Sequence, residues 1–177
     1  MTQDQMFLVA ITAPPRHDLI LGLPPFAFVH VVITLVAIAA GLAVLSGMLG
    51  NQRREWPTAI FLAFSVLTAV TGFLLQITPL TPAVVLGFIL GGLLILALAG
   101  KYLFRLRDAW RWIYALSVVA SLYLNCFVLV VQSFQKVAPL AAFSHNNNAT
   151  PFILTQVIVL VLFVVSGFLA VRRFHPA

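Results

Sequence analysis

The stretch FAFVHVVITLVAIAAGLAVLSGML, Phe26–Leu49, carries no charged side chain over 24 residues and stops at Gly50-Asn51-Gln52-Arg53-Arg54-Glu55. A helix rising about 1.5 Å per residue covers the ~30 Å hydrocarbon core of a bilayer at that length. The paired arginines that follow mark a segment end held at a membrane surface. Outward from it the same pattern recurs in Thr58–Leu75, Ala83–Gly100, Trp112–Phe134 and Phe152–Val171, apolar runs of roughly 18 to 23 residues. Pro57 suits a first helical turn, where a missing N–H costs little, and Thr78-Pro79-Leu80-Thr81-Pro82 separates the second run from the third.

Composition agrees with five spans. Hydrophobic residues are 62% of the 177 and charged residues 8%, against roughly 45–50% and 25% in soluble domains. A soluble chain of this length lacks the polar residues to cover so much apolar surface; lipid removes that need. Backbone amides in lipid must pair within their own segment, and the runs show no alternation of the barrel type, so every span is expected to be helical. The expected fold is therefore an all-α, polytopic transmembrane helix bundle. Residues 1–25 form an extracytoplasmic arm, 26–171 the five-helix domain and 172–177 a cytoplasmic tail.

The ten basic residues set a direction. Eight of them, Arg53, Arg54, Lys101, Arg105, Arg107, Arg111, Arg172 and Arg173, follow the first, third and fifth spans. The gap Gln76–Pro82 has none and Gln135–Pro151 only Lys136. The positive-inside rule then places the N-terminus outside and the C-terminus in the cytoplasm, and five spans require opposite sides. Trp56, Tyr102, Trp110, Trp112 and Tyr114 flank the basic gaps, where amphipathic rings sit at the headgroup level. A net charge of +6 spread around hydrophobic spans is not the basic face of a nucleic-acid binder. Lys101, Arg105, Arg107 and Arg111 are instead expected to meet lipid headgroups, each contributing about 1 kcal/mol near an anionic surface. The N-terminal segment lacks the charge and cleavage pattern of a signal peptide. His145-Asn146-Asn147-Asn148 is expected to be a polar loop on the outer side.

Helices in lipid associate through small residues that let backbones approach. Ala39, Ala43 and Gly47 are spaced by four on the first span, Thr68 and Gly72 on the second, and Gly87 and Gly91 on the third, with Gly92 adjoining. A seam inside the monomer is expected from these, and a homodimer seam has the same signature. The single cysteine, Cys126, lies in an apolar run and is expected to pack as a small hydrophobe.

No Asp, Glu, Lys or Arg lies well inside a span, which weighs against an ion-coupled transporter. The four acids sit in separate segments, so a dinuclear carboxylate centre has no ligands, and no nucleophile has a base near it. Neutral polar residues remain. His30 and Thr34 are one turn apart on the first span; Ser117, Ser121, Asn125 and Gln132 form a stripe on the fourth; Gln76 ends the second span and Gln156 opens the fifth. Their ordinary role is interhelical hydrogen bonding. Their sharper role is a ligand-binding cluster of His30, Thr34, Gln76, Asn125, Gln132 and Gln156, open outward, for a quinone, lipid or other mostly apolar molecule. Haem held by two histidines needs a partner that no other span supplies. A metal site from His17, His30 and His145, aided by Met6, has no supporting spacing, so no metal ligand is assigned.

The segments Phe28-Val29-His30-Val31-Val32, Thr68-Ala69-Val70-Thr71-Gly72-Phe73, Ala109-Trp110-Arg111-Trp112-Ile113-Tyr114 and Leu122-Tyr123-Leu124-Asn125 resemble a family of small, uncharacterised bacterial multi-pass inner-membrane proteins. The histidine near the start of the first span is similar to that of the DUF2231-type membrane proteins, although the His-Pro pair ahead of it is absent and the span count is five rather than four. The resemblance implies residence in the bacterial inner membrane and carries over no site residue or cofactor. The expected function is that of a non-enzymatic integral membrane protein, an accessory or structural subunit with membrane lipids and a membrane protein or second copy as partners. The alternatives are a quinone-, lipid- or haem-associated redox protein and a small-solute transporter.

Overall fold

The computed structural model describes residues 24–75, 81–143 and 149–175. The protein is an all-α bundle with five helices long and apolar enough to cross a membrane. They are α1 (Pro25–Leu49), α2 (Glu55–Leu75), α3 (Pro82–Leu98), α4 (Ala109–Lys136) and α6 (Thr150–Arg173), with a short α5 (Ala138–Phe143) between the last two. Each expected span lies inside one of these helices, which run a few residues further at their ends. Two features differ from expectation. The gap after α4 contains α5 rather than only loop, and α3 continues as a π-helical turn over Ala99–Leu103. The N-terminal arm up to residue 23, the 76–80 connection and the 144–148 loop lie outside the described residues.

The helix ends follow from local chemistry. Asn51 adopts a left-handed φ of 56° just beyond α1. Gln52 N–H then donates to Gly47 O at 2.8 Å and Asn51 N–H to Met48 O at 3.2 Å, the two bonds of a Schellman closure. The Asn51 side chain accepts from His175 N–H at 2.7 Å, tying the end of the chain to this turn. Thr81 caps α3 by accepting from Val84 N–H at 3.4 Å, with Pro82 at the first helical position. At the other end of α3, Phe104 N–H reaches Ala99 O and Leu106 N–H reaches Gly100 O, both at 2.9 Å. This closure is wider than the usual one because the π turn has added a residue to it.

α1, α2, α3 and α4 form a ring in which each helix packs on the next and α4 returns to α1; α6 lies outside it, against α4 and α1. In the most apolar window of each helix, 44% of α4 is buried but only 11% of α6. α4 is thus the central helix and α6 the peripheral one. Large side chains such as Leu154, Val161, Leu162, Val164 and Phe168 project outward from α6, as they do where lipid is the solvent.

Arg53, Arg54, Lys101, Arg105 and Phe174 line one small cavity, so the basic gaps and the end of α6 share one end of the bundle. The buried residues cluster toward that basic end. On α1 none precedes Thr34, on α2 none follows Thr68, on α3 none precedes Leu90 and on α4 none follows Asn125. Phe61, Met48, Leu122 and Val118 fill the basic half. Its tightest approach is at Gly41, where a methyl would sit 2.6 Å from Leu122 Cδ1 and 2.8 Å from Phe61 Cδ2. The seam therefore runs through Ala37, Gly41, Val44, Leu45 and Met48 rather than along the expected Ala39–Ala43–Gly47 row. Ala39 is exposed, and Gly47 receives the stem of Arg54. Gly91 and Gly92 have open space around them.

Candidate functional site

The four-helix ring is hollow at its neutral end. A cavity of about 340 Å³ opens there, within the usual size range of small-molecule sites. Thr34, Thr68, Leu90 and Asn125, one residue from each ring helix, are the buried residues that line it and form its floor. Small residues keep it open: Ala27, Ala69, Gly72 and Ala83 face the space where larger side chains fill the other half, whereas Gly87 seats the Phe73 ring, 2.9 Å from where a methyl would sit.

The polar groups are held by short-range bonds. His30 Nδ1 lies 2.7 Å from Thr71 Oγ1. The Thr71 hydroxyl donates to Leu67 O at 2.6 Å, the carbonyl one turn back. With its one proton committed, Thr71 can only accept from the imidazole. His30 is therefore the Nδ1–H tautomer, and its Nε2 carries a lone pair. The ring passes over Gly72, where a methyl would sit 3.6 Å from His30 Cε1. Thr34 donates to His30 O and Thr68 to Phe64 O, both at 2.9 Å. Their oxygens, 3.4 Å apart, thus present lone pairs rather than protons. Asn125 Nδ2 donates to Ser65 Oγ at 3.2 Å, fixing the floor between α4 and α2. Gln132 lines the cavity, and its Oε1 is buried with no partner. Lys136, the last residue of α4, stands at the same end. The site is therefore rich in acceptors, with an apolar wall and one ammonium donor, Lys136.

Of the residues singled out in the sequence, His30, Thr34, Asn125 and Gln132 border this one cavity. Gln156 does not border it. It lies on α6 outside the ring, where Nε2 donates to Phe127 O of α4 at 3.2 Å and Oε1 is left unpartnered. Gln76 falls outside the described residues, as do His17, His145 and Met6. Ser65 and Thr71 were missed as partners, although Ser65, Thr68 and Gly72 recur at helical spacing on α2 and Thr71 adjoins them. Among the described residues no three His, Cys, Asp or Glu side chains group as metal ligands.

The basic residues also divide. Lys101 pairs with Glu55 at 2.6 Å, and its side chain is 12% exposed. Arg111 Nη1 donates to Phe174 O at 2.9 Å. These two are internal ties, whereas Arg105 and Arg107 are exposed at the surface, as are Trp56 and Tyr102. Trp110 stacks on Phe104 with ring centroids 3.8 Å apart.

Five apolar helices, a lipid-facing exterior and a hollow neutral end define a multi-pass membrane protein. No family model matches the chain, and neither curated proteins nor solved structures give a match.

Proposed function

We propose that this protein is a non-enzymatic, membrane-embedded binder of a lipid-soluble molecule whose polar head donates hydrogen bonds. A hydroxylated lipid or the reduced, hydroquinone form of a quinone has that chemistry. The observation that carries the proposal is the acceptor-rich lining: His30 Nε2, Thr34 Oγ1 and Thr68 Oγ1 all offer lone pairs in a cavity of about 340 Å³. An acceptor left without a donor in a water-poor cavity costs about 1–3 kcal/mol, and a ligand hydroxyl removes that cost. Opposed carbonyls find donors only at Lys136 and the amides of Asn125 and Gln132, and none at His30 Nε2, Thr34 or Thr68, so an oxidised quinone is the poorer fit.

In this reading the basic end faces the cytoplasm, on the asymmetry of Lys and Arg between the gaps, and the cavity opens on the outer side of a bacterial inner membrane. The test is retention of small molecules by the protein purified in mild detergent, read by native mass spectrometry, with a short-chain benzoquinol and its oxidised quinone added as probes. The quinol is expected to bind at least about tenfold tighter, the effect of one charge-neutral hydrogen bond in a desolvated site. Ala69→Leu, which fills the cavity from α2, abolishes retention while the protein stays folded. Equal binding of the two redox forms, or undiminished retention in Ala69→Leu, overturns the proposal.

A further inference from the structure

We infer that the basic end of the bundle holds a second, independent site, which binds a phosphate group carried by a lipid headgroup or free in solution. A cavity of about 260 Å³ lies between the α1–α2 turn and the loop after α3. Four cations, Arg53, Arg54, Lys101 and Arg105, line it with one acid, Glu55. Lys101 already satisfies Glu55 at 2.6 Å. Arg53, Arg54 and Arg105 are left as three guanidinium groups with no acid partner among the described residues. Of the other cations at this end, Arg111 is engaged on the Phe174 carbonyl at 2.9 Å and Arg172 over the Phe168 ring at 4.3 Å, whereas Arg107 and Arg173 are exposed and do not line the cavity. Like charges gathered around one small space repel, and an anion placed between them reverses the sign of that interaction.

Arg53, Arg54 and Arg105 are exposed, but they stand on two turns of defined geometry. The Schellman turn at Asn51 sends Arg53 and Arg54 back along α1, and the Arg54 stem occupies the space that the missing side chain of Gly47 leaves, 2.9 Å from where a methyl would sit. Arg105 and Leu106 adopt consecutive left-handed φ values of 51° and 59°. Such conformations cost non-glycine residues free energy and persist where the surroundings hold them. Here the Leu106 N–H bond to Gly100 O closes the turn, and Leu106 itself lines the cavity beside Arg105. The guanidinium fork matches phosphate oxygens in pairs, which an ammonium does not. Exposed Trp56, Tyr102 and Leu103 flank this end, at the depth where amphipathic side chains meet headgroups. The phosphate-binding set is thus Arg53, Arg54 and Arg105, of which only Arg105 belongs to the headgroup row Lys101, Arg105, Arg107 and Arg111 expected from the sequence.

The experiment uses the full chain in an uncharged detergent at fixed ionic strength, with inorganic phosphate exchanged for chloride in one arm. In the other, mixed micelles carry phosphatidylglycerol or, as a control, phosphatidylcholine. Thermal melting and native mass spectrometry give affinity and stoichiometry. A saturable response to one equivalent is expected, at least about tenfold weaker in Arg105→Gln and Arg54→Gln and unchanged in Arg107→Gln. Arg105→Lys, which keeps the charge and loses the fork, falls between. Binding of phosphatidylglycerol that inorganic phosphate does not displace identifies the headgroup as the source; displacement identifies free phosphate. If the glutamine variants do not fold, the wild-type competition and Arg105→Lys still decide. No saturable response to either probe, a response that chloride reproduces, or equal loss in Arg105→Gln and Arg107→Gln overturns the inference.

Discussion

The two halves of this bundle are made from the same helices and end differently. Toward the basic end Phe61, Met48, Val118 and Leu122 interlock around Gly41 and leave no room for a methyl. Toward the neutral end the same four helices present Ala27, Ala69, Gly72 and Ala83 to a cavity. In water such a hollow would tend to close, since apolar surface is driven together. In lipid that drive is absent and helices stay apart wherever shapes do not interlock. Small residues therefore have opposite effects: with a large partner they make a seam, and without one they make a void.

The strongest test of this contrast makes one change in both halves. Leu122→Ala removes a fully buried side chain from the packed half and is expected to cost about 2–5 kcal/mol. Leu86→Ala, at the cavity wall, is expected to cost less than about 1 kcal/mol, because the leucine already faces a void and has fewer contacts to lose. Equilibrium unfolding in mixed micelles measures both, and equal costs would break the contrast. The next effect is smaller and of the opposite kind. Gly41→Ala forces a methyl to within 2.6 Å of Leu122 Cδ1 and is expected to cost about 1–3 kcal/mol by overpacking. Gly91→Ala meets nothing within 4 Å, so it is expected to lose no stability and to gain a few tenths of a kcal/mol from helix propensity.

Span number and span limits were legible in the sequence because charge and length alone decide them. Facing was not. α3 is apolar on every side, so no polar stripe reveals which way Gly91 points; on α1 the short His30–Thr34 stripe leads at helical spacing to buried Ala37 and Gly41, whereas the row of small residues spaced by four lies on other faces. Gln156 shows the same limit. It was expected to join His30 and Gln132, but it sits on the helix outside the ring and turns to the α4 backbone. The fourth span did carry a readable stripe, and its Ser117, Ser121 and Asn125 are all buried. The turn at Arg105 and Leu106 gave no signal, because left-handed backbone is usually announced by glycine or asparagine. The Asn51 turn was announced in that way.

Asn125 sits on the boundary between the halves, and replacing it sharpens the comparison most finely. Its Nδ2 bond to Ser65 Oγ joins α4 to α2 at the cavity floor. Bonds of this kind between membrane helices average about 0.6 kcal/mol. Asn125→Leu is therefore expected to change stability by no more than about 1 kcal/mol, since leucine restores packing while Ser65 keeps helix carbonyls within reach. Ligand retention is expected to fall much further, because leucine replaces the amide in the cavity floor. Unfolding and native mass spectrometry on the same preparation separate the two outcomes. A large loss of stability with unchanged retention would make Asn125 a strut of the packed half. The expected result, little loss of stability and little ligand, makes it the floor of a binding site.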